Sequence, residues 1–241
     1  DFMAESAAIL YQDKTVLLPE KNASCPMAEM ITQEKLKEIK KQYPEATVVC
    51  YVNSSAAVKA ESDVCCTSSN AIEIVEKINN DQIIFVPDKN LAKYVNKNIN
   101  KNIIWWEGFC PTHHQVKKYD IKKIKKEYPE IVVAVHPECQ MEVIEHADFV
   151  GSTSQIIEFS NKTKSKKIVI GTEKGLLYKL EKDNPSKEFY VLNDNLICNN
   201  MKLTTGNSVL SALKEMKHKV EVPINIAEKA KVSLNKMLEL S

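Results

Sequence analysis

Lys41-Gln42-Tyr43-Pro44-Glu45 returns later in the chain as Lys126-Glu127-Tyr128-Pro129-Glu130, and that echo decides the fold. An interval of 85 positions separates Tyr43 from Tyr128, and the same interval separates Asp63 of Ser62-Asp63-Val64 from Asp148 of Ala147-Asp148-Phe149. Thr67-Ser68 recurs at that spacing as Ser152-Thr153. After a one-residue gap, Phe85-Val86-Pro87-Asp88-Lys89 matches Val169-Ile170-Gly171-Thr172-Glu173. Self-similarity at a fixed period marks a repeated structural unit. Outward from the echo, β-branched runs at residues 47–51, 82–86, 102–106, 131–135, 167–170 and 188–192 read as strands. Each is followed by a polar or helical segment, so a full unit reads as four β-α steps forming a small parallel sheet with helices on both faces.

A third copy is expected at the N-terminal end. Residues 14–18 read as the last strand of a unit and residues 2–10 as the helix before it, but the counterpart of residues 32–86 is missing. The expectation is therefore a first unit lacking roughly 55 upstream residues. The fold class is α/β: three homologous three-layer α/β/α units with small parallel sheets in a pseudo-threefold arrangement, the first incomplete. Residues 1–27 would be the remnant of the first unit, 28–112 the second and 113–198 the third. Residues 205–217 and 223–240 read as two helices, with Pro223 at the start of the later one. The C-terminal stretch 199–241 is expected to pack on the remnant.

Composition removes several function classes. With 241 residues a core needs no disulfide staples, and a net charge of +1 lacks the basic excess of a nucleic-acid binder. All 33 cationic side chains are lysine, so any bound carboxylate or phosphate must be held without a guanidinium fork. The five glycines make neither a dinucleotide-binding nor a Walker loop. No apolar run reaches the roughly 18 residues of a membrane span. The start, Asp1-Phe2-Met3, has no signal-peptide pattern and no initiator Met, so an upstream segment is expected. Seven cysteines, an odd number, point to a reducing compartment, the cytoplasm by default, and to metal or thiol chemistry.

The repeat sorts those cysteines. Cys25 and Cys110 are 85 positions apart, and Cys110 and Cys198 are 88 apart, each just after the last strand of its unit. Cys50, Cys65, Cys66 and Cys139 face Val135, Val150, Gly151 and Ser54 across the repeat and default to core or loop positions. Three equivalent thiols at strand carboxyl ends would converge near the axis. Cys25-Pro26 and Cys110-Pro111 read as helix starts whose N–H groups favour thiolate. Three thiolates leave a fourth position open, which suits a catalytic zinc or a [4Fe–4S] cluster, and all-sulfur ligation favours the cluster.

Polar residues gather at the same rim. Tyr51-Val52-Asn53 ends a strand, and its repeat partner is His136-Pro137-Glu138. His136 and Glu138 can serve as acid and base or as substrate holders. Thr67-Ser68-Ser69-Asn70 and Gly151-Ser152-Thr153-Ser154 precede helical runs and offer hydroxyls and N–H groups for an anion, or ordinary N-caps. His113 and His114 follow Cys110 closely and read first as an exposed helix pair, with metal ligation or a supporting contact to the metal site as the other reading. Trp105-Trp106 reads as core, and the lysine run 117–126 as a solvated helix face.

Together, Asn22-Ala23-Ser24-Cys25-Pro26-Met27-Ala28, Tyr51-Val52-Asn53-Ser54, Cys66-Thr67-Ser68-Ser69-Asn70-Ala71, Gly108-Phe109-Cys110-Pro111, His136-Pro137-Glu138-Cys139, Val150-Gly151-Ser152-Thr153 and Cys198-Asn199-Asn200-Met201 resemble the quinolinate synthase family of bacterial NAD biosynthesis. The resemblance runs over essentially the whole chain. It implies three α/β units around a pseudo-threefold axis and a [4Fe–4S] cluster on Cys25, Cys110 and Cys198. It further implies condensation of iminoaspartate with dihydroxyacetone phosphate to quinolinate, phosphate and water. Tyr51, Val52, Asn53, Ser68, His136, Pro137, Glu138 and Thr153 match substrate-holding positions, with Tyr51, His136 and Glu138 as catalytic candidates. L-Aspartate oxidase or aspartate dehydrogenase would be the functional partner, with neither nucleic acid nor membrane involved. The family's His-Asn-Tyr-Gln segment in the first unit has no match here, which puts activity of this polypeptide alone in question. A three-thiolate zinc hydrolase and a non-catalytic dicarboxylate-binding or Fe–S module are the competing readings.

Overall fold

The computed structural model describes residues 1–241. The chain divides into two compact units, Asp1–Gly108 with Asn199–Ser241, and Phe109–Cys198. The first begins with α1 (Phe2–Leu10) and runs through α2 (Gln33–Gln42), β1 (Thr47–Tyr51), α3 (Ala56–Ala60), β2 (Val64–Cys66), α4 (Ala71–Lys77), β3 (Gln82–Val86), α5 (Lys89–Asn98) and β4 (Asn102–Trp105). The second comprises α6 (Pro111–His114), α7 (Lys118–Glu127), β5 (Val132–Val135), α8 (Met141–Ile144), β6 (Phe149–Val150), α9 (Thr153–Lys162), β7 (Lys167–Gly171), α10 (Leu176–Asp183) and β8 (Glu188–Val191). The chain then returns to the first unit as α11 (Asn199–Leu203), α12 (Gly206–Glu215) and α13 (Ile224–Leu240). Each unit holds one four-stranded sheet, in the orders β2-β1-β3-β4 and β6-β5-β7-β8, and every pairing is parallel.

The repeated phrase is a helix stop. Tyr43 caps α2 by donating its N–H to Ile39 O at 3.2 Å, Pro44 cannot extend the helix, and Ala46 N–H turns back to Tyr43 O at 3.1 Å. Tyr128 does the same for α7, donating to Ile124 O at 2.8 Å and accepting from Ile131 N–H at 3.0 Å. The paired aspartates explain the second echo. Asp63 Oδ2 accepts from Val48 N–H at 2.7 Å while its own N–H donates to Val48 O at 3.1 Å. Asp148 clasps Val133 in the same way, at 2.8 and 2.9 Å. Charge-assisted bonds at these points set the register of the first strand pair in each sheet.

Strand register corrects one detail of the repeat. Cys50 pairs with Val86 and Val135 with Gly171, so Val86 and Gly171 are equivalent at the undisturbed interval. Residue matching had shortened the interval to 84 there; Gln82 pairs with Asn102 and Lys167 with Glu188, so no residue is missing before β7 and one is added between β7 and β8. Residue similarity introduced a gap that the register lacks because consecutive apolar strand residues are interchangeable to the eye, whereas hydrogen-bond register is not.

Alternate strand residues build each core. In the first unit Val48, Cys50, Cys65, Ile84 and Val86 join Ile9, Leu36, Val58, Ala227, Ala230 and Leu234 in one apolar cluster, covering a sheet face with α1, α2, α3 and α13. In the second, Ala134, Ile168 and Ile170 pack with Ile156 of α9 and Leu180 of α10. Each large buried aliphatic side chain contributes about 1.5–3 kcal/mol. The final helix reaches further than the remnant: α13 packs on α3 and β2 as well as on α1. Small residues Ala227, Ala230 and Ser233 permit the close approach, and Ser233 Oγ donates to Lys59 O at 2.9 Å.

Residues 14–18 do not form a strand of a parallel sheet. They run antiparallel to the segment after α12, with a bridge between Leu17 and Lys219 and bonds from Leu18 N to His218 O at 2.8 Å and from Val220 N to Val16 O at 3.0 Å. A strand is defined by its neighbours, and here the neighbour is the C-terminal segment. No helix is long and apolar enough to cross a membrane.

Gly108 closes the end of the first sheet, its carbonyl accepting from Lys89 N–H at 2.8 Å. A Cβ there would stand 2.5 Å from the Pro87 carbonyl oxygen, a backbone atom that cannot rotate away. Gly108→Ala is expected to destabilise the chain by about 1–3 kcal/mol, read as a lower denaturant midpoint at unchanged slope.

Candidate active site

Polar side chains of the second unit meet at the carboxyl ends of its strands. His136 follows β5, Thr172 follows β7, and Cys110 is the N-cap of α6 with Pro111 at its first position. Cys110 and His113 are three apart on one helical turn, which puts both on the same face. His113 Nδ1 lies 3.2 Å from Cys110 Sγ and 2.6 Å from Glu138 Oε2, while its Nε2 lies 2.9 Å from Thr172 Oγ1. His136 stacks on His113 with ring centroids 4.5 Å apart, and its Nδ1 is 3.3 Å from the Glu138 backbone N and 3.7 Å from Glu138 Oε2. His113, His136, Glu138 and Thr172 are all buried.

His113 is therefore not the exposed residue that its surroundings in sequence suggested; it is 8% exposed and lies at the centre of the cluster. The Cys-to-His spacing on one turn was the signal available. His114 does turn aside, packing against Phe109 with ring centroids 4.3 Å apart. Nor does Cys25-Pro26 open an α-helix: only a 3-10 turn at Ala28–Met30 follows. With α6 four residues long, the macrodipole offers little to either thiol.

Burial holds His136 well below its ordinary value of 6.5, to about 3; a charge on His113 would lower it further, and Glu138 opposes both. His136 is thus neutral in the folded chain at pH 7. Between about 6.5 and 3 the unfolded chain binds a proton there that the folded chain refuses, so stability falls as pH falls through that window. The expected share is up to about 1.4 kcal/mol per pH unit. Denaturant titrations at stepped pH should show a shallower acid slope in His136→Gln.

Cys110, His113 and Glu138 present their ligand atoms within 4.8 Å of one another, the donor set of a metal site. The 2.6 Å between Nδ1 and Oε2 is a hydrogen-bond length. Two such atoms on one tetrahedral zinc would stand about 3.3 Å apart. His113 also engages Thr172 through its second nitrogen, so it ties the thiol, the carboxylate and the loop after β7 together.

The other rim residues fall into place by unit. In the first, Tyr51 pairs with Cys66 across β1 and β2, which sets Tyr51, Val52 and Asn53 beside Thr67 and Ser68 at one sheet end. Thr67 N–H and Oγ1 both donate to Asn70 Oδ1, at 2.6 and 2.8 Å, so this loop is internally tied. In the second, Pro137 is buried beside His136, and Ser152 caps α9 in a box with Gln155, leaving Thr153 exposed. Ser152 is thus an N-cap, the plainer of the two expectations. Cys25 belongs to the first unit, and Cys110 and Cys198 to the second.

Buried imidazole and carboxylate groups beside a half-buried thiol at the carboxyl ends of parallel strands define an α/β enzyme. Comparison with known proteins makes the class specific. The family described as NadA, quinolinate synthetase A protein, matches residues 1–239. The quinolinate synthase of Alkaliphilus metalliredigens is 55% identical over 240 residues, covering 99% of this chain and 79% of that protein. That of Caldicellulosiruptor saccharolyticus is 54% identical over 241 residues, covering 100% of this chain and 80% of that protein. The Methanosarcina barkeri enzyme is 50% identical over 237 residues, covering 98% and 78%. This chain belongs to the quinolinate synthetase A protein family.

Proposed function

We propose that this chain condenses iminoaspartate with dihydroxyacetone phosphate to give quinolinate, phosphate and water, with a [4Fe–4S] cluster held by Cys25, Cys110 and Cys198. The observation that carries the reading is how burial divides the thiols. Cys25, Cys110 and Cys198 are half-buried, whereas Cys50, Cys65, Cys66 and Cys139 are sealed in the core. The half-buried three are the repeat-equivalent ones, so their donor chemistry fits the cluster. The proposal requires them to meet on the axis of three homologous units: the remnant 1–27 joined by 199–241, then 28–112, then 113–198.

When bound, the cluster supplies a Lewis acid at its open iron. Glu138 accepts a proton from the reacting carbon or nitrogen, and neutral His136 gives a hydrogen bond to developing negative charge. Ser68 and Thr153 offer hydroxyls to carboxylate or phosphate, and Tyr51, Val52, Asn53 and Pro137 shape the wall around them. The substrate pair implies L-aspartate oxidase or aspartate dehydrogenase as the functional partner, and the seven thiols suit the reducing cytoplasm.

Anaerobic reconstitution with iron and sulfide tests the reading. The expected result is a brown protein with four irons per chain that forms quinolinate from the two substrates. A colourless protein holding one zinc per chain would favour hydrolase chemistry, and diacid binding without turnover would favour the binding module.

A further inference from the structure

We infer that the stacked imidazoles of His113 and His136 hold opposite tautomers across Glu138, His113 protonated on Nδ1 and His136 on Nε2, with Thr172 as the positioning residue that completes the first. Taken as a carboxylate, Glu138 can only accept, so the 2.6 Å contact to its Oε2 puts the proton on His113 Nδ1, with Cys110 Sγ 3.2 Å from the same nitrogen. His113 Nε2 is then bare, and the Thr172 hydroxyl at 2.9 Å donates to it. The order is reversed in His136. Its Nδ1 receives the Glu138 backbone N–H at 3.3 Å and must be the bare nitrogen, so a neutral ring carries its proton on Nε2. The 3.7 Å from His136 Nδ1 to Glu138 Oε2 is accordingly no hydrogen bond.

This polarity separates two roles that a His and a carboxylate two residues apart leave interchangeable. Of the two rings, His113 alone donates to the Glu138 carboxylate, which stays an acceptor. His136 keeps its Nε2–H for a group other than Glu138. The roles rest on the proposed quinolinate-forming reaction; the tautomers do not.

Long-range proton–nitrogen correlation spectra of the metal-free chain, labelled at histidine nitrogen, test this at about pH 8, above the ordinary histidine range. Only five histidines contribute, so substitution assigns each one. The expected spectrum shows His113 as the Nδ1–H form and His136 as the Nε2–H form. Thr172→Val should move the bare His113 Nε2 signal downfield with Nδ1 unchanged, and Thr172→Ser should restore it. A shared tautomer, a doubly protonated His113, or an Nε2 signal indifferent to Thr172→Val would overturn the inference.

In the reconstituted enzyme the conservative variants should mirror each other. An Asn carboxamide nitrogen stands in for Nδ1 and a Gln nitrogen for Nε2. His113→Asn should keep about tenfold more kcat than His113→Gln, and His136→Gln about tenfold more than His136→Asn. The same preference at both positions would count against the assignment. Opposite tautomers in a chain that makes no quinolinate would sink the reaction and leave the inference standing; quinolinate formation with a shared tautomer would do the reverse.

Discussion

Cys25→Ala, Cys110→Ala and Cys198→Ala are each expected to lose the cluster, with iron and sulfide falling to background and quinolinate formation lost with them. Cys50→Ala, Cys65→Ala, Cys66→Ala and Cys139→Ala should keep their iron. The split follows from two independent features of the chain: position in the repeat, and burial, which seals the second group in the core while the first stays half-buried on loops. A core variant that failed to fold would also lose its iron, so each variant needs a far-ultraviolet spectrum beside its iron assay. Cys139 is the sharpest control. It lies next to Glu138, yet its thiol donates to Gly171 O at 3.4 Å inside the core. A core variant that kept its fold and lost its iron would count against the proposed ligand set.

The second large effect is expected at Glu138. Glu138→Gln keeps the shape of the side chain but removes the negative charge that receives the His113 proton at 2.6 Å. A fall in kcat of about 10²–10⁴ is expected, the range for a lost acid–base group, with iron content unchanged. Steady-state kinetics on reconstituted protein would read it. A variant with wild-type kcat would remove Glu138 from proton transfer, and one with raised KM alone would make it a substrate holder.

Much of this architecture was legible before any coordinate. Tyr43-Pro44 and Tyr128-Pro129 are local stop signals, and Asp63 and Asp148 bond the strand beside them, so similarity of sequence translated directly into similarity of structure. Properties owned by several segments at once were harder to read. Residues 14–18 have strand composition, but the segment that pairs with them is the one after α12, which no local pattern reveals. The buried place of His113 depends on α6 and on the loops after β5 and β7 arriving together. Thr172 gave no signal at all: a threonine after a strand is ordinary until an imidazole is found beside it.

The discontinuity of the first unit has a temporal consequence. Cys65, Val58 and Val48 share their apolar cluster with α13, which is synthesised well after them. Residues 109–198 can therefore settle while the older half of the nascent polypeptide still shows bare apolar surface, inverting the usual N-to-C order of maturation. During that wait the exposed sheet is open to chaperones, proteases and stray self-association, and the closing step is the arrival of a helix distant in sequence rather than the packing of neighbours.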